Sequence, residues 1–174
     1  DTHCHYNDES FDQDREDLLR SLPEKGVDRI CEIGYTPESS EKAIQLAKTY
    51  ADSSLSIHSV VGIHPEHAAV WSPEATAKIE ALSKEKEVVA IGEIGLDYFR
   101  LDKRSKVQKE RDEEKKRRGE EVQECFNPEP TVQKSCFIEM LDLAKRRDLP
   151  VVIHSRDAAL DTFRIIRDQK GFVN

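Results

Sequence analysis

Apolar residues along the chain fall into short continuous runs and helical stripes, and polar residues collect where each run ends. Leu18, Leu19 and Leu22 mark a helix over 12–22, and Gly26 turns the chain into a predicted strand over 27–33. Pro37 opens a second helix to about residue 50, with Ala43, Leu46, Ala47 and Tyr50 three to four apart. The pattern then predicts strand over 55–63, helix over 73–84 with Ala75, Ile79 and Leu82 on one face, and strand over 88–94. A helix over 132–147 turns Phe137, Met140, Leu141 and Ala144 inward, and Pro150 leads into the apolar run 151–153. Asp157 is placed to cap a last helix whose apolar members include Phe163 and Ile166.

Strand and helix alternate throughout, which predicts an α/β domain with a parallel sheet and crossover helices. Residues 100–130 break the rhythm. Between Lys103 and Glu121 stand nine Lys or Arg and six Asp or Glu, so this stretch is locally basic and reads as a charged, mobile insertion facing water. Lys115-Lys116-Arg117-Arg118 resembles a nuclear import patch, a short run that also recurs by chance. The 174 residues amount to one ordinary domain. A net charge of -8 argues against broad nucleic-acid coating, so any polyanion must be met locally. No apolar run spans a membrane and no leader-like series stands at the start, which predicts an intracellular, cytoplasmic protein. Cys4, Cys31, Cys125 and Cys136 show no C-x-x-C spacing and are expected as reduced thiols.

The chemistry gathers at the strand ends. In Asp1-Thr2-His3-Cys4-His5, extended backbone sends both imidazoles to one face, a metal-binding arrangement, and sends Cys4 toward the core. Three later apolar runs end in more ligand-type side chains: Gly62-Ile63-His64-Pro65, Gly92-Glu93-Ile94-Gly95-Leu96-Asp97 and Val152-Ile153-His154-Ser155. Asp1 shares the face of His3 and His5 and is expected to orient an imidazole.

Taken in order with Tyr98 and His154-Ser155-Arg156-Asp157-Ala158, these segments make the chain resemble the TatD family of metal-dependent deoxyribonucleases. The family patterns are D-[ST]-H-x-H, G-x-H-P, G-E-I/C-G-L-D and H-x-R-D-A. The resemblance implies a (βα)8 TIM barrel with its site at the carboxyl ends of the strands. This chain would then be a partial barrel of about the first five βα units, incomplete at both ends, because Asp1 stands where the family's first strand is ending and two later family motifs, a histidine in H-C-F-[ST]-G and an aspartate in T-D-[SA]-P, do not occur in it. A fragment of a larger protein is the expectation, with exposed edges and a tendency to self-associate.

The same resemblance implies the roles. His3, His5 and Glu93 would hold one divalent cation, and Glu93 and His154 a second, with Glu93 bridging. Two ions, Mg²⁺, Mn²⁺ or Zn²⁺, would activate water on a DNA phosphodiester. Glu93 and His64 are the catalytic candidates, and His64, Asp97 and Arg156 the substrate-binding ones, with Asp97 and Arg156 equally able to fix the loop by pairing or capping. Tyr98 and Phe99 could stack on a base, against the alternative of packing at the barrel rim. The family often carries a histidine two residues beyond the one in G-x-H-P, where Glu66 stands here; His58 and the adjacent His67 read as ordinary surface or core residues. The partner implied is DNA. Two competing functions remain: a related metal-dependent hydrolase of a small amide or ester, and an inactive scaffold short of two ligands.

Overall fold

The computed structural model describes residues 1–51, 53–102, 106–120 and 126–169. Four parallel strands lie in the order β1 (Arg29–Ile33), β2 (Ser56–Val61), β3 (Val88–Asp97) and β4 (Val151–Arg156). Each crossover carries a helix: α2 (Pro37–Thr49), α3 (Pro73–Leu82) and, before β4, α4 (Lys106–Arg117) and α5 (Pro130–Arg147). α1 (Arg15–Ser21) precedes the sheet and α6 (Ala159–Asp168) follows it. This is the expected α/β architecture, a curled sheet forming half of a barrel.

Local chemistry sets the helix starts. Thr36 Oγ1 accepts from the Ser39 amide at 3.1 Å while Ser39 Oγ accepts from the Thr36 amide at 2.8 Å, and Pro37 occupies the first turn of α2. Ser72 caps α3 in the same manner, accepting from the Ala75 amide at 3.1 Å ahead of Pro73. The main core lies between β2, β3 and helices α3 and α5, with Phe137, Met140, Leu141 and Ala144 buried as their spacing predicted. A second cluster joins Leu19, Leu22, Ile30, Ala47, Tyr50 and Leu55 under α1 and α2. A third, of Ile33, Val60 and Ala90, lies across β1 to β3.

Four expectations are corrected. The helix foreseen over 12–22 shortens to α1 behind a 3₁₀ turn at Glu9–Phe11. The amino-terminal segment joins β1 through an isolated bridge at Cys4 and Glu32 rather than as a full strand, framed by the Cys4 amide on the Cys31 carbonyl and the Ile33 amide on the Cys4 carbonyl, with the Cys31 amide also donating to the Asp1 carbonyl at 2.9 Å. Asp157 does not cap α6; its backbone is left-handed at φ 54°, which turns the chain out of β4, and Ala158 takes the cap position. Phe163 is 61% exposed on α6 instead of turning inward with Ile166.

Within the 100–130 insertion the described residues include a helix, α4, where the sequence read as a solvated excursion. Lys, Arg, Glu and Gln are strong helix formers, and Glu113 with Arg117 one turn on supplies an ion pair of the helical spacing. The insertion is closed at its base, where the Asn127 amide donates to the Arg100 carbonyl at 2.9 Å and Leu101 bridges Asn127. Cys125 lies outside the described residues; Cys4, Cys31 and Cys136 are free thiols.

Candidate metal centre

Parallel strands deliver the predicted site residues to one end of the sheet. His3 and His5 come from the segment bonded to β1, His64 directly follows β2, Glu93 and Asp97 lie on β3, and His154 and Arg156 on β4. The register places Gly95 beside His154 and Asp97 beside Arg156. The Gly92–Glu93 peptide is cis.

Glu93 is the centre. One carboxylate oxygen meets His3 Nε2 at 3.2 Å and the other meets His154 Nδ1 at 3.1 Å. Its ligand atoms close two groups, His3 with His5 and Glu93, and His64 with Glu93 and His154, each set within 4.8 Å. His3 Nε2 and His5 Nε2 stand 3.2 Å apart. Two nitrogens bound at about 2.0–2.1 Å on a tetrahedral ion are about 3.3 Å apart, so the pair is already spaced for a shared cation. Imidazole and carboxylate together form a donor set that divalent metals accept.

Hydrogen bonds on the far side of each ring fix its orientation. His5 Nδ1 faces the Ile33 carbonyl at 3.1 Å, which places the proton there and leaves Nε2 free to ligate. His154 Nε2 meets Asp97 Oδ2 at 2.9 Å and turns Nδ1 toward Glu93. His64 differs. Its Nδ1 accepts from the Glu66 amide at 3.2 Å, so the neutral ring carries its proton on Nε2 and presents a donor rather than a lone pair. Burial, assisted by the neighbouring His154, pushes His64 down to about 4, which keeps it neutral at physiological pH.

The charges are mutually supportive. Burial alone would raise the Glu93 carboxyl, but the hydrogen bond from His154 and the imidazoles of His64 and His3 hold it below the ordinary value. His154 is raised in turn, first by Glu93 and then by Asp97 against the effect of burial.

Asp97 is 1% exposed and committed to internal bonds: Oδ1 accepts from the Phe99 amide at 2.9 Å and Asn127 Nδ2 at 2.8 Å, and Oδ2 holds His154. Gln133 clamps the Asp97 backbone, its Oε1 accepting from the amide at 2.7 Å and its Nε2 donating to the carbonyl at 2.8 Å. Arg156 is exposed, its guanidinium 3.8 Å above the Phe99 ring. Tyr98 packs on the core and donates to Asp161 at 3.0 Å. Asp1 does not orient an imidazole: its carboxylate accepts from the His3 amide at 3.0 Å.

Sequence reasoning missed Gln133 and Asn127, which support Asp97, and also Glu32. Fully buried, Glu32 accepts from the Asn7 amide at 2.7 Å and from the Cys4 thiol at 3.4 Å, pinning the strand that carries His3 and His5. Burial pushes its carboxyl up from 4.5 to about 6. A carboxyl raised on folding stabilises the protein below its unfolded value, and that contribution is lost as pH climbs through the folded one. Between pH 4 and pH 7, Glu32→Gln is therefore expected to gain about 2 kcal/mol of stability relative to the parent chain. Urea unfolding at both pH values reads this directly, and a pH-independent difference would refute the argument.

Comparison with known proteins then decides the lineage. The family model of TatD-related DNases matches residues 1–173. The chain belongs to the TatD-related DNase family. The TatD relatives include the metal-dependent hydrolase YabD of Bacillus subtilis, 31% identical over 97% of this chain and 55% of that protein. The 3'-5' ssDNA/RNA exonuclease TatD of Cronobacter turicensis is 34% identical over 85% of this chain and 45% of its own length. Among solved structures, the TatD homologue YJJV of Escherichia coli K12 superposes with a TM-score of 0.71 at 27% identity, covering 97% of this chain and 54% of that one. The chain thus spans about half the length of the curated TatD relatives it matches.

Proposed function

We propose that this chain carries the ligand set of a nuclease that hydrolyses phosphodiester bonds in single-stranded DNA with two divalent cations. The observation that supports it best is Glu93 lying between two imidazole groups, one oxygen toward His3 and the other toward His154. A carboxylate shared in this way suits a pair of cations about 4 Å apart. Bound there, divalent cations supply Lewis acidity to the scissile phosphate and its attacking water.

The chain's own residues supply the rest. His3 and His5 hold one side of Glu93 and His154 the other, with Asp97 fixing His154 from behind. His64, neutral with its proton on Nε2, donates to a phosphate oxygen at the mouth of the site. Arg156, held over Phe99, offers its guanidinium to the next phosphate along the strand.

The test is shortening of an end-labelled single-stranded DNA oligonucleotide by the 174-residue chain with Mn²⁺ or Mg²⁺. Cleavage is expected to fall to background when EDTA removes the metal. Cleavage that resists chelator, or metal-dependent hydrolysis of esters and amides without any of DNA, overturns the proposal.

A further inference from the structure

Helix α4 takes no part in the metal-centred chemistry, and its charge is opposite in sign to that of the rest of the chain. Residues 106–120 hold seven Lys or Arg against five Asp or Glu, a net of +2 in a chain of net charge -8, so the other residues together carry -10. The charge is unevenly spread around the helix. Arg111, Lys115 and Arg118 recur at i, i+4 and i+7, which is one helix face, and all three are exposed. Arg118 continues the last turn, its amide donating to the Glu114 carbonyl at 3.2 Å. Glu110 and Glu113 fall outside this stripe and Glu114 borders it. Among the described residues no ion pair ties Arg111 or Lys115, and Arg118 meets Glu120 at 3.3 Å in an exposed pair of little energy.

The helix is rooted at the rim of the metal centre. Asn127, which donates to Asp97 at 2.8 Å, also closes the base of the insertion on Arg100, and Lys109 meets Asp102 at 3.2 Å. Arg156 stands exposed over Phe99 at the same rim. From there the twelve residues of α4 extend about 18 Å. Resting on the nuclease reading above, we propose that the stripe of Arg111, Lys115 and Arg118 binds the phosphates of a single-stranded nucleic acid where it runs out of the metal centre past Arg156. An acidic chain repels a polyanion over most of its surface, so the strand is held where cations are grouped on one face. Such contacts read phosphates and not base edges, which makes them independent of sequence. A strand of a few nucleotides ends before the stripe, and a long one reaches it.

The experiment follows binding of fluorescein-labelled (dT)20 and (dT)6 to the 174-residue chain by anisotropy, in EDTA and across a fourfold range of salt. Each phosphate contact on a single strand steepens log K against log salt by about 0.7, so three contribute about 2. The triple variant Arg111→Gln, Lys115→Gln and Arg118→Gln keeps residues of high helix propensity and should lose that part of the slope on (dT)20. Over the salt range the parent's affinity for (dT)20 is then expected to fall about 20-fold more than the variant's, with (dT)6 unaffected by the substitutions. Lys116→Gln with Arg117→Gln, which removes two cations off the stripe, serves as the control and should leave the slope nearly unchanged. No binding of (dT)20, a triple variant with the parent's slope, or a control that flattens the slope as much per charge overturns the inference. Polyglutamate of matched length that displaces (dT)20 as readily as unlabelled (dT)20 also overturns it, in favour of an acidic protein. Catalysis is read separately: a parent chain that cuts no DNA with Mn²⁺ refutes the nuclease reading, while the salt slope in EDTA still decides the stripe.

Discussion

Glu93→Gln is expected to abolish cation binding at both ligand groups and to lower metal-dependent hydrolysis by roughly 10³-fold, about 4 kcal/mol of transition-state stabilisation. The reason is that one side chain serves both groups. Replacing either His3 or His154 leaves the opposite carboxylate oxygen with its own imidazole partner, and a partial site survives. Replacing Glu93 removes the negative charge from both sides at once and leaves an amide whose nitrogen is a donor facing a cation. Shape is nearly kept, so stability should change by less than about 1 kcal/mol and the loss cannot be put down to unfolding. A second readout separates the electrostatic argument from catalysis. Without metal, His154 is raised mainly by Glu93, so its imidazole should titrate at lower pH in the variant, as proton NMR would follow. Mn²⁺ titration by calorimetry reads the binding itself. A variant that binds Mn²⁺ as the parent does would remove Glu93 from the centre of the site.

How much of this was legible in the sequence follows from what local patterns encode. The strands were readable because apolar runs of strand length end abruptly in polar residues, and with parallel strands those ends must gather on one side. His3 and His5 were readable because period-two geometry alone puts them on one face; their 3.2 Å separation is its consequence. Partnerships across the fold were not. Asp97 meets Asn127 and Gln133 some thirty residues away, and no spacing rule connects them. Gln133 did leave a trace, since it holds an inward position one turn before Phe137 on an otherwise apolar stripe. Glu32 left the same trace as a carboxylate inside an apolar strand. His67 was read as an ordinary residue because its ring meets Tyr35 only once β1 and the turn after β2 are side by side. Charge density in 100–130 pointed to water and concealed the helix propensity of the same residues.

Gly95→Ala is expected to destabilise the chain by about 3–5 kcal/mol, combining overpacking with a strained backbone, and to disable the metal centre together with the fold. Gly95 sits at φ 144°, where a side chain is poorly tolerated, and a Cβ there would collide with the His154 carbonyl oxygen. Its neighbours allow no retreat, for Ile94 and Leu96 are fully buried. The strand pair approaches this closely along its length: a Cβ on Gly92 would lie 2.7 Å from Val152 Cβ. A methyl group at 95 therefore pushes β4 outward, and β4 carries His154. The imidazole would leave both Glu93 at 3.1 Å and Asp97 at 2.9 Å. Gly26 supplies the control, since it is also left-handed at φ 83° but has nothing within 4 Å of an added Cβ. Gly26→Ala should cost only the backbone strain, about 1–2 kcal/mol, and leave Mn²⁺ binding intact. Denaturant unfolding of the two variants separates close approach from conformational strain. Equal losses would mean that the β3 and β4 backbones are not held together by the glycines between Glu93 and His154.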